Sequence, residues 1–460
     1  MESLSGMTRI ESVIDSRPLT AYHIVIFMLC FVVMMADGYD TASIGLVVPS
    51  IVADWGVARA SLGPVVSAAL VGFGVGALFA GPLADRTGRR KVFTLSIVCF
   101  GLASAMSASS NSIGMMTVLR LVTGLGLGAA MPNAVIMVAE YAPVRVRAFA
   151  VNAVAAGFAV GLATGGAMAA WLIPNFGWRS VLAVGGIWPL VMALVVWAVL
   201  PESPKFLAVK GGRDAEIARI LSRLSRGELF EGVRFLGHEH GEDASGNGRH
   251  SASIGLVISA HYRFRTLMLW LIYFLALLVF YLLTNWLPTL FRDAGFSVSA
   301  SALMTSLFPL GGAIGNLIMG RLMDRYDGNR TISLAWLVSA ALLLLVGLPE
   351  GGAKVLGIAT FVTGAVVTGA VSAMTAYAAS IYPTEGRATG VAWMLGIGRI
   401  GGVAGAFAGA VLTGMGLKFA TILALLAVPA LSASILLRFL AWRGGHLVID
   451  DGSADIATLH

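Results

Sequence analysis

The chain is poor in charge. Only 12% of its 460 residues are Asp, Glu, Lys or Arg, about half the roughly 25% of an average soluble domain. Hydrophobic residues make up 57%, and mean hydropathy is +0.85. A water-soluble fold of this length has no means of hiding so much apolar surface, which excludes a soluble enzyme as the basic plan. Cysteine is scarce as well. Cys30 and Cys99, the only two, both fall in apolar stretches, so a disulfide framework is not expected and both read as small apolar fillers. None of the seven His falls deep in an apolar run; His23 stands at the edge of one. Without a His-rich cluster or a nucleophile–base pair in those runs, neither metal nor cofactor is expected, and a membrane enzyme is the weakest reading. A cleavable leader is not expected either: Glu2, Glu11 and Asp15 beside Arg9 and Arg17 are too acidic for a leader's basic start.

What is present is apolar length. Apolar runs fall at 22–53, 63–84, 91–109, 113–140, 148–170 and 180–200. After a polar stretch, six more follow at 266–290, 299–320, 331–349, 352–382, 388–413 and 418–441. Each is long enough to cross about 30 Å of hydrocarbon as a helix. The 56 glycines fit this setting, because small residues let helices approach closely in lipid. The expected class is all-α integral membrane, with twelve transmembrane helices in two pseudo-symmetric six-helix halves around a central cavity. The expected division is a tail at 1–21, a first half at 22–200, a central loop at 201–265, a second half at 266–441 and a tail at 442–460. The central loop reads as irregular, including Gly211-Gly212-Arg213 and His238 to His250, with one short amphipathic helix around Glu216–Leu224.

The net charge of +7 invites a nucleic-acid reading, which the placement of the basic residues rejects. With the N-terminus inside, 24 of the 31 Lys and Arg fall in internal segments, most of them in the central loop and the loop around Arg86–Lys91. Five fall on the opposite side: Arg59, Arg179, Arg292, Lys354 and Lys418. This asymmetry predicts cytoplasmic termini in a multi-pass membrane protein. Gly81-Pro82-Leu83-Ala84-Asp85-Arg86 after the second run and Gly320-Arg321-Leu322-Met323-Asp324-Arg325 after the eighth share one pattern, as do Tyr141-Ala142-Pro143 and Tyr382-Pro383 at the ends of the fourth and tenth. Two similar halves joined by an internal loop are a known transporter plan.

These residues resemble the major facilitator superfamily. Gly81 to Lys91 looks like its loop between spans two and three, and Arg120 with Gly124, Gly126 and Gly128 resembles its fourth-span motif. Pro201-Glu202-Ser203-Pro204 is similar to an element of sugar-porter-like members. Asp37-Gly38-Tyr39-Asp40-Thr41-Ala42, Ser61-Leu62-Gly63-Pro64, Met131-Pro132-Asn133 and Trp393 to Arg399 resemble the aromatic acid:proton symporters. The resemblance implies import of small aromatic carboxylates of the 4-hydroxybenzoate, protocatechuate or benzoate kind, coupled to protons, by a protein acting as a monomer. The Pro of the antiporter element in span five is missing from Gly161-Leu162-Ala163-Thr164-Gly165-Gly166, which weakens the competing reading, an efflux antiporter for aromatic or drug-like compounds. A ligand sensor is a third reading, weakened by the modest central loop.

Ionisable residues within spans cost at least about 2.5–3.5 kcal/mol each, so they mark function first. Asp37 and Asp40 lie three apart and share a helix face. Burial and a like-charged neighbour both favour a neutral carboxyl, which suits proton coupling; the bland alternative is a structural pairing with an Arg. Arg120 and Arg399 come from opposite halves, and a guanidinium suits a carboxylate held away from water. Either Arg could take substrate while the other pairs with an Asp, or Arg120 could simply lock span four to span one. Tyr39, Tyr281, Trp286 and Trp393 are candidates to stack on a ring, and Asn133 to meet a ring hydroxyl; the same residues also commonly just pack. Asp85 is expected to gate, with Arg86, Arg89, Arg90, Glu140, Asp324, Arg325 and Arg387 in similar internal networks or serving as topology signals.

Overall fold

The computed structural model describes residues 7–225, Phe230, residues 233–236, 255–347, 352–382 and 384–454. His238 to His250, Arg226 and Pro383 lie outside the described residues. Among the described residues, twelve helices are long and apolar enough to cross a membrane: Ala21–Trp55, Arg59–Thr87, Arg89–Ser107, Ile113–Tyr141, Val144–Phe176, Trp178–Val199, Arg263–Asp293, Val298–Arg325, Gly328–Val346, Ala353–Ile381, Thr389–Gly414 and Phe419–Arg443. They are called spans one to twelve below. Each overlaps one apolar run of the sequence. Most helices run a few residues beyond the apolar stretch, because a helix continues through the headgroup depth until a cap or a Pro stops it. The last helix continues to Ala454, well past the expected start of a tail.

The chain divides into two compact units. One holds residues 1–44, 68–168 and 175–246; the other holds 45–67, 169–174 and 247–460. Within each unit the same three helix pairings recur. Spans one and five meet at Gly38, where an added Cβ would stand 2.0 Å from the Phe158 carbonyl oxygen; spans seven and eleven meet at Gly405, 2.2 Å from that of Leu278. Spans two and four meet at Gly124, 2.0 Å from the Ala69 carbonyl oxygen, and spans eight and ten at Gly315, 1.9 Å from that of Ala365. Span three packs on span six as span nine packs on span twelve. At such separations only glycine lets the backbones touch, and close packing is the main attraction between helices in lipid. The internal repeat seen in the sequence is therefore also a repeat of packing.

The described chain is all-α, as expected, but for one short element: Met7–Arg9 (β1) and Arg234–Leu236 (β2) form a two-stranded parallel pair. The central loop carries two helices: Pro204–Lys210, which was not expected, and Asp214–Leu224, where the short amphipathic helix was expected. The second buries Ile217, Ile220, Leu221 and Leu224, a one-faced stripe at helical spacing. That stripe joins Ile10, Val13 and Ile14 of the N-terminal helix Ile10–Ser16 in the apolar core of the first unit.

Candidate functional site

In the first unit Asp40 and Arg120 form a closed, buried cluster with two serines. Asp40 is 1% exposed and Arg120 0%. Nη1 of Arg120 donates to both Asp40 carboxylate oxygens, at 3.2 and 3.1 Å. Its Nη2 donates to Ser104 Oγ at 3.1 Å and to Ser107 Oγ at 3.4 Å. Ser104 Oγ in turn donates to Asp40 Oδ1 at 2.7 Å. A buried ion pair survives only when hydrogen bonds satisfy the remaining atoms, and the serines of span three supply them. Ser104 and Ser107 stand three apart, hence on one helix face; that spacing was the signal available for them in the sequence, and it was missed. Asp37 is buried one turn before Asp40.

Tyr39 and Arg120 both have protein partners in this structure, which for Arg120 is the alternative of pairing with a span-one Asp. Tyr39 is fully buried, donates from its hydroxyl to the Val181 carbonyl at 3.0 Å and meets Trp188 edge-on. It ties span one to span six. Arg120 is occupied by Asp40 and the two serines. Asn133 is buried and bonds back to the Ala129 carbonyl of its own helix at 2.8 Å.

In the second unit, Arg399 is half-buried and its Nη1 donates to the Tyr281 hydroxyl at 3.2 Å. The glycines of span eleven make room for large side chains of span seven. A Cβ on Gly402 would lie 2.7 Å from the Tyr281 ring, one on Gly398 2.2 Å from Tyr273, and one on Gly409 2.2 Å from Trp286. Trp286 is fully buried and donates from Nε1 to the Ala406 carbonyl at 2.8 Å, tying span seven to span eleven. Asn285 is buried and bonds to the Tyr281 carbonyl. Trp393 is 40% exposed and stacks on Trp270, with ring centroids 5.6 Å apart and planes 11° apart.

At the basic end of the first unit, Arg89 Nε lies 2.9 Å from Glu140 Oε1, and its Nη2 3.5 Å from Asp85. Ser203 Oγ donates to Glu140. Glu202, not singled out in the sequence, accepts from the Arg90 and Ser203 backbone N–H groups at 3.0 Å each. It thereby caps span three, whose first residue follows Gly88 at φ 109; a Cβ on Gly88 would lie 2.4 Å from Glu202 Oε2. An acid at a helix N-terminus also meets the favourable end of the helix dipole. Asp15 does the same for span five, accepting from Val144 N–H at 2.8 Å. Arg90 donates to the Trp197 carbonyl and lies over its ring. Arg86, Asp324, Arg325 and Arg387 are exposed. Of the expected network residues, the structure thus joins Asp85, Arg89 and Glu140, and brings Arg90 to Glu202.

The sequence profile of the Major Facilitator Superfamily matches residues 28–260 and 269–448. The chain belongs to the major facilitator superfamily. This superfamily member is a membrane transporter and not an enzyme. It is 42% identical to the gallate transporter of Pseudomonas putida, over 92% of each chain. It is also 42% identical to the 4-hydroxybenzoate transporter PcaK of the same organism, over 93% of this chain and 94% of that one. The benzoate transport protein of Acinetobacter baylyi is more distant, at 29% over 87% of this chain and 86% of the other. Among solved structures the D-xylose-proton symporter aligns with a TM-score of 0.68 at 16% identity, covering 91% of this chain and 97% of that one, which speaks for the fold alone.

Proposed function

We propose that the protein imports small aromatic carboxylates, of the 4-hydroxybenzoate, gallate or benzoate kind, by proton symport through alternating access. The substrate class follows from the likeness to transporters named for such acids. One observation carries the coupling: the fully buried Asp40–Arg120 pair. Protonating Asp40 leaves the Arg120 charge without its counter-charge in a medium of low dielectric, at a cost of several kcal/mol. That cost makes the arrangement of spans one, three and four depend on a proton. Arg399, presented by the Tyr281 hydroxyl, is the proposed partner of the substrate carboxylate, and Trp393 is a ring neighbour. Rocking of the two halves would then release both solutes inside, the termini being cytoplasmic, the bilayer the bacterial inner membrane and the working unit a monomer. Protons are the only coupling ion in this reading, and no cofactor takes part.

The test is uptake of labelled 4-hydroxybenzoate into proteoliposomes with an alkaline interior. Accumulation that a protonophore abolishes supports symport. Uptake that merely equilibrates, unaffected by the gradient, removes the coupling and leaves facilitated diffusion. No uptake of this acid, gallate or benzoate by folded protein overturns import and favours efflux.

A further inference from the structure

The second unit holds a cavity of about 620 Å³ at the end opposite the basic loops, lined in part by the residues that follow span eleven. Its lining includes Arg59, Asp293, Phe296, Leu356, Lys418 and Phe419. The volume falls within the roughly 300–1,000 Å³ of small-molecule sites. Three facts fix what it fits. First, Arg59 and Asp293 neutralise each other: both guanidinium Nη atoms donate to the carboxylate, Nη2 to Oδ1 at 2.6 Å. Second, Lys418 is exposed and forms no ion pair among the described residues, so the lining carries one unbalanced positive charge. Third, the wall is aromatic. Phe419 and Phe296 both pack on Phe291, with centroids at 5.8 and 6.3 Å, and the remaining lining is apolar or glycine apart from the charges named.

A single unbalanced ammonium in a lining that also holds two phenyl rings suits a flat, singly charged anion. It repels a cation, and with Arg59 and Asp293 engaged with each other it offers a sugar few polar side chains. We propose that this cavity is a second, outer binding site for aromatic monocarboxylates. Lys418 holds the carboxylate, Phe296 and Phe419 hold the ring, and the Arg59–Asp293 pair closes one wall. A lysine, being a mobile point charge rather than a fork, gives a weak loading site from which the ligand passes on. The proposal rests on the aromatic-acid reading given above for the substrate class.

Binding of labelled 4-hydroxybenzoate to the purified full chain tests it, with wild type, Arg399→Ala, Lys418→Gln and the double variant compared. Arg399→Ala is expected to keep one weak site, which 4-hydroxybenzoate fills and its uncharged amide does not. Adding Lys418→Gln should abolish that site, and Lys418→Arg should retain it. In proteoliposomes Lys418→Gln alone should raise KM about two- to fivefold, as expected for an exposed ion pair, with a much smaller change in Vmax. Wild-type transport with no binding to Arg399→Ala and an unchanged KM in Lys418→Gln overturns the outer site and leaves the substrate reading intact. Folded wild type that neither binds nor carries any of the acids overturns both.

Discussion

Changing Asp40 to Asn is the perturbation that the structure constrains most tightly. The substitution keeps the shape and removes the charge, leaving Arg120 at 0% exposure with two serine hydroxyls and a neutral amide. Breaking a buried pair by removing one partner costs about 3–5 kcal/mol, whereas replacing both partners by neutral groups is often close to neutral. Asp40→Asn should therefore shift the folding equilibrium by roughly two to three and a half powers of ten. Asp40→Asn with Arg120→Met should recover most of that loss. The assay is thermal unfolding in detergent, followed by gradient-driven uptake of 4-hydroxybenzoate. Both variants should lose accumulation against a gradient, since neither has the carboxyl proposed to couple the proton. Separating the two readouts matters, because the double variant is a folded protein without the proton site. If the double variant is no more stable than the single one, the pair does not carry the energy assigned to it. If either variant still accumulates substrate in response to the pH gradient, Asp40 is not the coupling group and Asp37 becomes the next to change.

Three further outcomes are expected. Tyr281→Phe removes the hydroxyl that accepts from Arg399; hydrogen bonds to charged groups are worth about 1.5–3 kcal/mol, so uptake kinetics should show KM at least tenfold higher, and Arg399→Ala should abolish uptake. Gly38→Ala forces a Cβ onto the Phe158 carbonyl oxygen, while Gly74→Ala meets nothing within 4 Å; size-exclusion yield and unfolding temperature should collapse for the first and hold for the second. Glu202→Gln weakens the cap on span three and should lower stability by about 0.5–2 kcal/mol, measured by unfolding; full stability would show that the cap is idle.

The spans were legible because twenty apolar residues in a row carry one message, and the charge asymmetry gave a direction to expect. The residue types of the buried charge site were legible too, since few acids and bases stand in apolar runs. Their pairing was not. Choosing Asp40 rather than Asp37 for Arg120, and adding Ser104 and Ser107, requires the rotation of spans one, three and four about their axes, which no single helix encodes. The same holds for Tyr39 and Trp286. A buried Tyr or Trp has to place its O–H or N–H somewhere, and whether it faces a backbone carbonyl or a ligand depends on a neighbour far along the chain: Val181 for the first, Ala406 for the second. Glu202 was visible only as part of a motif, because its partner is the first turn of a helix 112 positions earlier.

The parallel pairing of β1 with β2 sets an order of assembly. Met7 is matched with Arg234, 227 positions later, so at a synthesis rate of about 5–20 residues per second the first strand waits roughly 10–45 s for its mate. By then all six spans of the first half have left the ribosome. The strand pair is thus a clasp fastened only when that half is complete. Its location dictates where the gene can be cut: a split placed after Leu236 should yield a first fragment that carries its own fastening, while one placed after Leu200 strands the N-terminal tail without a seat.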